Sequence, residues 1–104
     1  MACTQRRVRT AIRTEFEAGG RSGKGKITNV AEGGLFVGTA SIPDQGETVE
    51  LHFSTPTGRR VDLSGLVWWT TAQTNPELHK LPGFGLCLLD ESDDYSRFVR
   101  SLTG

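Results

Sequence analysis

The sequence predicts a mainly β fold: a six-stranded antiparallel barrel closed by one C-terminal helix. Three observations carry this. From Val8 to Leu89, apolar and polar residues alternate in short runs, the period of half-buried strands. Glycine, proline, asparagine and aspartate separate those runs at turn-like intervals. After Asp90 the period changes, and Tyr95, Phe98, Val99 and Leu102 recur at the spacing of one helix face. At 104 residues the chain is long enough for one hydrophobic core, so one domain over 1–104 is expected.

Residues 1–7 read as a flexible basic arm. The first strand then sets Val8, Thr10, Ile12, Thr14 and Phe16 on one face, with Arg7, Arg9, Ala11, Arg13 and Glu15 on the other. Glu17 to Gly25 is polar and glycine-rich and reads as a hairpin loop. Lys24 to Asn29 forms the second strand and Leu35 to Val37 a short third, followed by a loop from Ala40 to Gly46. Val49, Leu51 and Phe53 alternate with polar residues in a fourth strand, and Thr55-Pro56-Thr57-Gly58 turns the chain.

Arg60 to Thr71 reads as a long fifth strand. Val61, Leu63, Val67 and Trp69 fall on one face, Leu66 and Trp68 on the other, so cover on both faces is expected near Trp68. Ala72 to Pro82 is a polar loop, and Gly83 to Leu89 the sixth strand, with Cys87 among its core residues. The helix is expected over 90–102. Asp90 or Ser92 can cap it, the acids at 91, 93 and 94 suit its positive end, and Arg97 and Arg100 suit the other.

The chain is organised around Ile27-Thr28-Asn29-Val30-Ala31-Glu32-Gly33-Gly34-Leu35-Phe36-Val37, a strand, tight turn and strand. The Gly33-Gly34 pair is a turn signal, because glycine reaches positive φ at little cost. Asn29 stands at a strand end, where a ligand can meet it. The pattern Asn-x-Ala-x-x-Gly, running on into Gly-Leu-Phe-Val, resembles the D/N-x-S-x-x-G signature of PilZ domains, small bacterial β-barrels of which many bind cyclic di-GMP. That family carries an R-x-x-x-R motif upstream, and Arg6, Arg7, Arg9 and Arg13 lie upstream here. The likeness continues through Gly46-Glu47-Thr48-Val49-Glu50-Leu51, Leu63-Ser64-Gly65-Leu66-Val67-Trp68 and Pro82-Gly83-Phe84-Gly85-Leu86. The helical tail and the Pro-Glu-Leu loop are most similar to the branch common in myxobacteria.

The resemblance implies a non-catalytic receptor for cyclic di-GMP, acting through a protein partner in motility, pilus or surface-polysaccharide control. The alternative is an adaptor that does not bind cyclic di-GMP and acts by protein contacts alone. The implied ligand site is Arg6, Arg7, Arg9, Arg13, Asn29, Ala31, Gly33 and Gly34. Arginine suits this chemistry because its guanidinium pairs with phosphate in a fork, bonds guanine O6 and N7, and stacks on base faces. Asn29 supplies an acceptor for a guanine N–H. Position 31 is Ala where the family has Ser, a loss of about 0.5–1.5 kcal/mol of hydrogen bonding. Arg9 and Arg13 fit the arginine spacing literally. Arg6 and Arg9 fit its place before the strand, one residue short. Arg6, Arg7 and Arg9 are the preferred set, with Arg13 in reserve.

Twelve basic residues balance twelve acidic ones, so a nucleic-acid polymer is not the expected partner. The balance is uneven along the chain. Residues 1–26 hold seven Lys/Arg against two Glu, a net of +5, and residues 27–104 five against ten, a net of −5. No nucleophile–base pair, paired carboxylates or metal-ligand cluster stands out by spacing, so no catalytic or metal site and no cofactor is expected. Cys3 and Cys87 form no CxxC, and His52 and His79 read as surface residues. No signal peptide or apolar run of about 20 residues appears, so no membrane span and a cytoplasmic location are expected.

Overall fold

The computed structural model describes residues 7–71, 82–90 and 92–103. Six strands follow in chain order: β1 (Val8–Ala18), β2 (Arg21–Ala31), β3 (Gly34–Gly38), β4 (Thr48–Ser54), β5 (Arg60–Thr70) and β6 (Gly83–Leu88). One helix, α1 (Asp93–Thr103), ends the chain. The strands close into a barrel in the order β1-β2-β3-β6-β5-β4, and every neighbouring pair is antiparallel. The closing pair, β1 with β4, is short and joins only Thr14–Ala18 of β1 to Val49–Phe53 of β4.

The expected alternation holds along β1, with Thr14, Phe16 and Ala18 buried and the residues between them exposed. The first hairpin is much tighter than the expected loop over 17–25. β1 runs to Ala18 and β2 begins at Arg21, leaving only Gly19 and Gly20 between them. Both have positive φ, 58° and 79°. That is the mirror-image turn whose twist suits a two-residue hairpin, and glycine adopts it without the Cβ penalty.

The core is filled by inward residues of all six strands, including Phe16, Ile27, Val30, Leu35, Val49, Leu51, Val61, Phe84 and Leu86. Phe16 meets Phe84 edge-on at 5.3 Å between ring centres. The amphipathic face of α1 adds Tyr95, Phe98 and Val99, all buried, with Phe98 5.5 Å from the Phe53 ring. Each such side chain contributes about 1.5–3 kcal/mol by leaving water. Leu102, expected on the same stripe, is 36% exposed and lines a cleft with Thr55, Pro56 and Thr57. Ser92 caps the helix, its Oγ accepting the Tyr95 N–H at 3.2 Å, and Asp90 lies outside that role.

Three register shifts bend the barrel: in β1 between Arg9 and Ile12, in β2 between Ile27 and Asn29, and in β5 between Val67 and Trp69. A bulge adds one residue and so reverses which side chains face in. This corrects the expected face of Trp69. Val67 is buried and points inward, but the extra residue at Trp68 turns Trp69 out, and Thr70 takes the next inward place. Trp68 is 39% exposed, so the expected cover over it is not formed by the described residues. Cys87 is only half-buried, and it is disulfide-bonded rather than a free core thiol. The expected basic arm up to Arg6, Cys3, the loop over 72–81 and His79 lie outside the described residues.

Candidate functional site

The signature segment is built by a bulge and a turn. Ile27 points into the core, and strict alternation would send Asn29 inward with it. The shift at Thr28 instead returns Val30 to the core, with no exposure, and leaves Asn29 on the outer face. The spacing of three between Ile27 and Val30 is the sequence trace of that bulge. β2 then ends at Ala31, Glu32 and Gly33 make the turn, and β3 begins at Gly34.

The reason for glycine at this turn differs from the expected one. Neither Gly33 nor Gly34 has a positive φ. A Cβ on Gly34 would sit 2.5 Å from the carbonyl oxygen of Leu86. Glycine is required there because β3 and β6 approach closely, backbone against backbone.

Carbonyls around the turn are held from two sides. The Tyr95 hydroxyl, on α1, lies 2.6 Å from the carbonyl oxygen of Ala31 and 2.9 Å from that of Gly34. One hydroxyl has one proton, so the two acceptors share it. The Leu88 N–H donates to the Gly33 carbonyl at 2.9 Å. Burial pushes the Tyr95 phenol well above its ordinary pKa. The hydrogen bond to Ala31 and the nearby Arg7 charge oppose this only in part. Tyr95 therefore stays a neutral donor, and it joins the helix to the signature.

Arg7 and Arg9 gather at Asn29. Arg7 Nη1 donates to Asn29 Oδ1 at 2.8 Å. Arg9 is exposed and stands directly across from Asn29 in the β1–β2 ladder. Arg13 pairs instead with Lys26, three residues away along β2, roughly 10 Å at the usual strand rise. Arg6 lies outside the described residues. Ala31 is 1% exposed, so its backbone rather than its methyl belongs to the site's frame.

The ladder brings in a feature that the sequence did not reveal. Arg9 faces Asn29, Asn29 faces Phe36, Phe36 faces Gly85, and Gly85 faces Trp69. The result is one outward row across β1, β2, β3, β6 and β5. Phe36 and Trp69 close over it with ring centres 5.4 Å apart and planes 31° apart. They lie over the glycines of the Gly83-Phe84-Gly85 run. A Cβ at Gly83 would meet Phe36 Cζ at 2.6 Å, and one at Gly85 would meet Trp69 Cδ1 at 2.7 Å. The site is thus a cationic and amide end running into an aromatic wall. Its signals in the sequence were the Gly-x-Gly and the three-residue step from Val67 to Thr70.

In solved structures, the fold is similar to the Bacillus subtilis inhibitor of motility MotI/DgrA, with a TM-score of 0.77 at 16% identity. That match covers 95% of this chain and 50% of the other, so the chain spans half the length of that protein. It is also similar to the PilZ domain of CeSA from a cellulose-synthesizing bacterium, with a TM-score of 0.65 at 14% identity, over 96% and 97% of the two chains. No curated protein matches the sequence. The PilZ domain family model matches residues 4–104. The closed six-stranded barrel and the Asn29–Gly34 signature with its upstream arginines agree with this match, and the chain belongs to the PilZ domain family.

Proposed function

We propose that the chain is a non-catalytic receptor domain for cyclic di-GMP, with Arg7, Arg9 and Asn29 as its polar contacts. One observation carries this: Arg7 bonds Asn29 while Arg9 stands opposite it, so two guanidiniums and one amide share a single outward spot. Two guanidiniums suit a ligand with two phosphates, since each pairs with phosphate oxygens in a fork or holds a guanine edge. The ligand takes over Asn29 Oδ1 from Arg7, freeing that guanidinium for phosphate. Phe36 follows Asn29 in the ladder and offers a face for a base. Gly33 and Gly34 serve as the turn that holds Asn29 in place. Arg6 belongs to the same proposal on its motif alone.

The domain then passes second-messenger level to a protein partner in the cytoplasm. The names of the two structural neighbours, an inhibitor of motility and a cellulose-synthesizing bacterium's protein, support motility or surface polysaccharide as the process. A second reading, an adaptor that binds no nucleotide, is favoured by Ala31, which lacks the hydroxyl of the family's serine.

Isothermal titration calorimetry with cyclic di-GMP separates them. The receptor binds, and Arg9→Ala loses binding while its circular dichroism spectrum is unchanged. Absence of heat and of any thermal shift at saturating ligand refutes the receptor and leaves the adaptor.

A further inference from the structure

Away from Asn29, an open groove of about 1060 Å³ lies beside β1, β2 and the end of β4, lined by exposed side chains and by the buried Thr14, Thr39 and Phe53. Arg13, Lys24 and Lys26 line it, all exposed, against the single carboxylate of Glu15. Arg13 lies directly across from Lys26, and Glu15 from Lys24. Like charges opposite each other on neighbouring strands are destabilising. Among the described residues, none of the three cations forms an ion pair, whereas nearby Arg60 is paired with Asp62 at 3.0 Å. The chain is neutral as a whole, so this is a local excess that the fold leaves uncompensated. Ile12, Ala40 and Pro82 add an apolar component to the lining.

We propose that this groove docks an extended acidic segment of a protein partner. Its carboxylates pair with Arg13, Lys24 and Lys26, and an interleaved apolar side chain rests near Ile12 and Pro82. The inference rests on the reading that the domain acts through a protein partner, and it needs no nucleotide.

The test is fluorescence anisotropy with a labelled peptide alternating Glu and Leu over about eight residues, roughly 26 Å when extended. A Gln–Leu peptide of equal length and a thymidine oligonucleotide serve as comparison probes. The Glu–Leu peptide binds in low salt and weakens as salt is added. The double variant Arg13→Ala, Lys26→Ala weakens it by about tenfold, with an unchanged thermal midpoint, and Arg9→Ala leaves it intact. Equal binding of the Gln–Leu peptide, indifference to the double variant, tighter binding of the oligonucleotide, or no peptide binding each overturns the proposal. Lost peptide binding with cyclic di-GMP binding retained removes the groove alone. The reverse removes the nucleotide reading alone.

Discussion

Replacing Tyr95 by Phe keeps the buried ring and removes one oxygen, so it isolates the bond between helix and signature. The residue is 1% exposed, and the ring's packing is retained. What is lost is the donor to Ala31 O at 2.6 Å and Gly34 O at 2.9 Å. A hydrogen bond between buried groups contributes about 0.5–1.5 kcal/mol, and an acceptor left buried and unpaired costs about 1–3 kcal/mol. The expected destabilisation is about 1–3 kcal/mol. For a domain of this size each kcal/mol lowers the thermal midpoint by about 4–8 °C. Thermal melts by circular dichroism read this directly.

Alkaline melts give the same claim a second, independent readout. Folded Tyr95 keeps its proton, whereas an unfolded tyrosine ionises near pH 10. Above that pH the unfolded chain binds fewer protons than the folded one, so stability falls as pH rises. The component is fully present below about pH 10 and is lost at up to ~1.4 kcal/mol per pH unit above it. Tyr95→Phe lacks it, so the gap between wild type and variant narrows from about pH 10 upward. A variant whose midpoint equals wild type at neutral pH, with an identical alkaline slope, refutes the role given to this hydroxyl.

Two further substitutions test the frame of the site and the end of the helix. Gly34→Ala forces a methyl against the Leu86 carbonyl, a contact of 2.5 Å that neither backbone can relieve locally. It is expected to cost about 1–3 kcal/mol as overpacking, and an unchanged urea midpoint argues against the close approach of β3 and β6. Ser92→Ala removes the helix cap and is expected to cost about 1 kcal/mol, while Asp90→Ala does not. Equal losses from the two in thermal melts reverse the assignment of the cap.

The sequence made the strands legible wherever burial alternates without interruption. Thr14, Phe16 and Ala18 in β1, and Val49, Leu51 and Phe53 in β4, announce their inward faces because each side chain's own polarity decides its side. The helix was equally plain, since Tyr95, Phe98 and Val99 share a face by spacing alone. Its cap was narrowed to two candidates, and only the geometry of Ser92 Oγ chose between them. The first hairpin was overestimated, because Ser22, Gly23 and Lys24 look like loop residues yet lie in β2. Gly23 is tolerated there because the Phe16 ring fills the space its missing side chain leaves.

The residues of the candidate site were likewise readable as a set of types, but not as a constellation. The signature and the run of arginines follow from local chemistry: a turn needs small residues, and a phosphate ligand needs guanidiniums. Which arginine meets Asn29 depends on cross-strand register. Register is settled by the summed fit of six strands around a closed barrel, and single-residue shifts at Thr28 and Trp68 redirect everything beyond them. Those shifts put Asn29 outside and set Trp69 over Gly85, and the β1–β2 register sets Arg13 opposite Lys26, away from Asn29. The Tyr95 bond spans 64 residues to Ala31, a separation at which no local pattern carries information. By itself the sequence determined the fold class, the helix and the kinds of side chain available for binding, because these follow from the polarity and shape of neighbouring residues. Only the tertiary structure decided which of them share a surface, because strand pairing is a property of the closed sheet and not of any one segment.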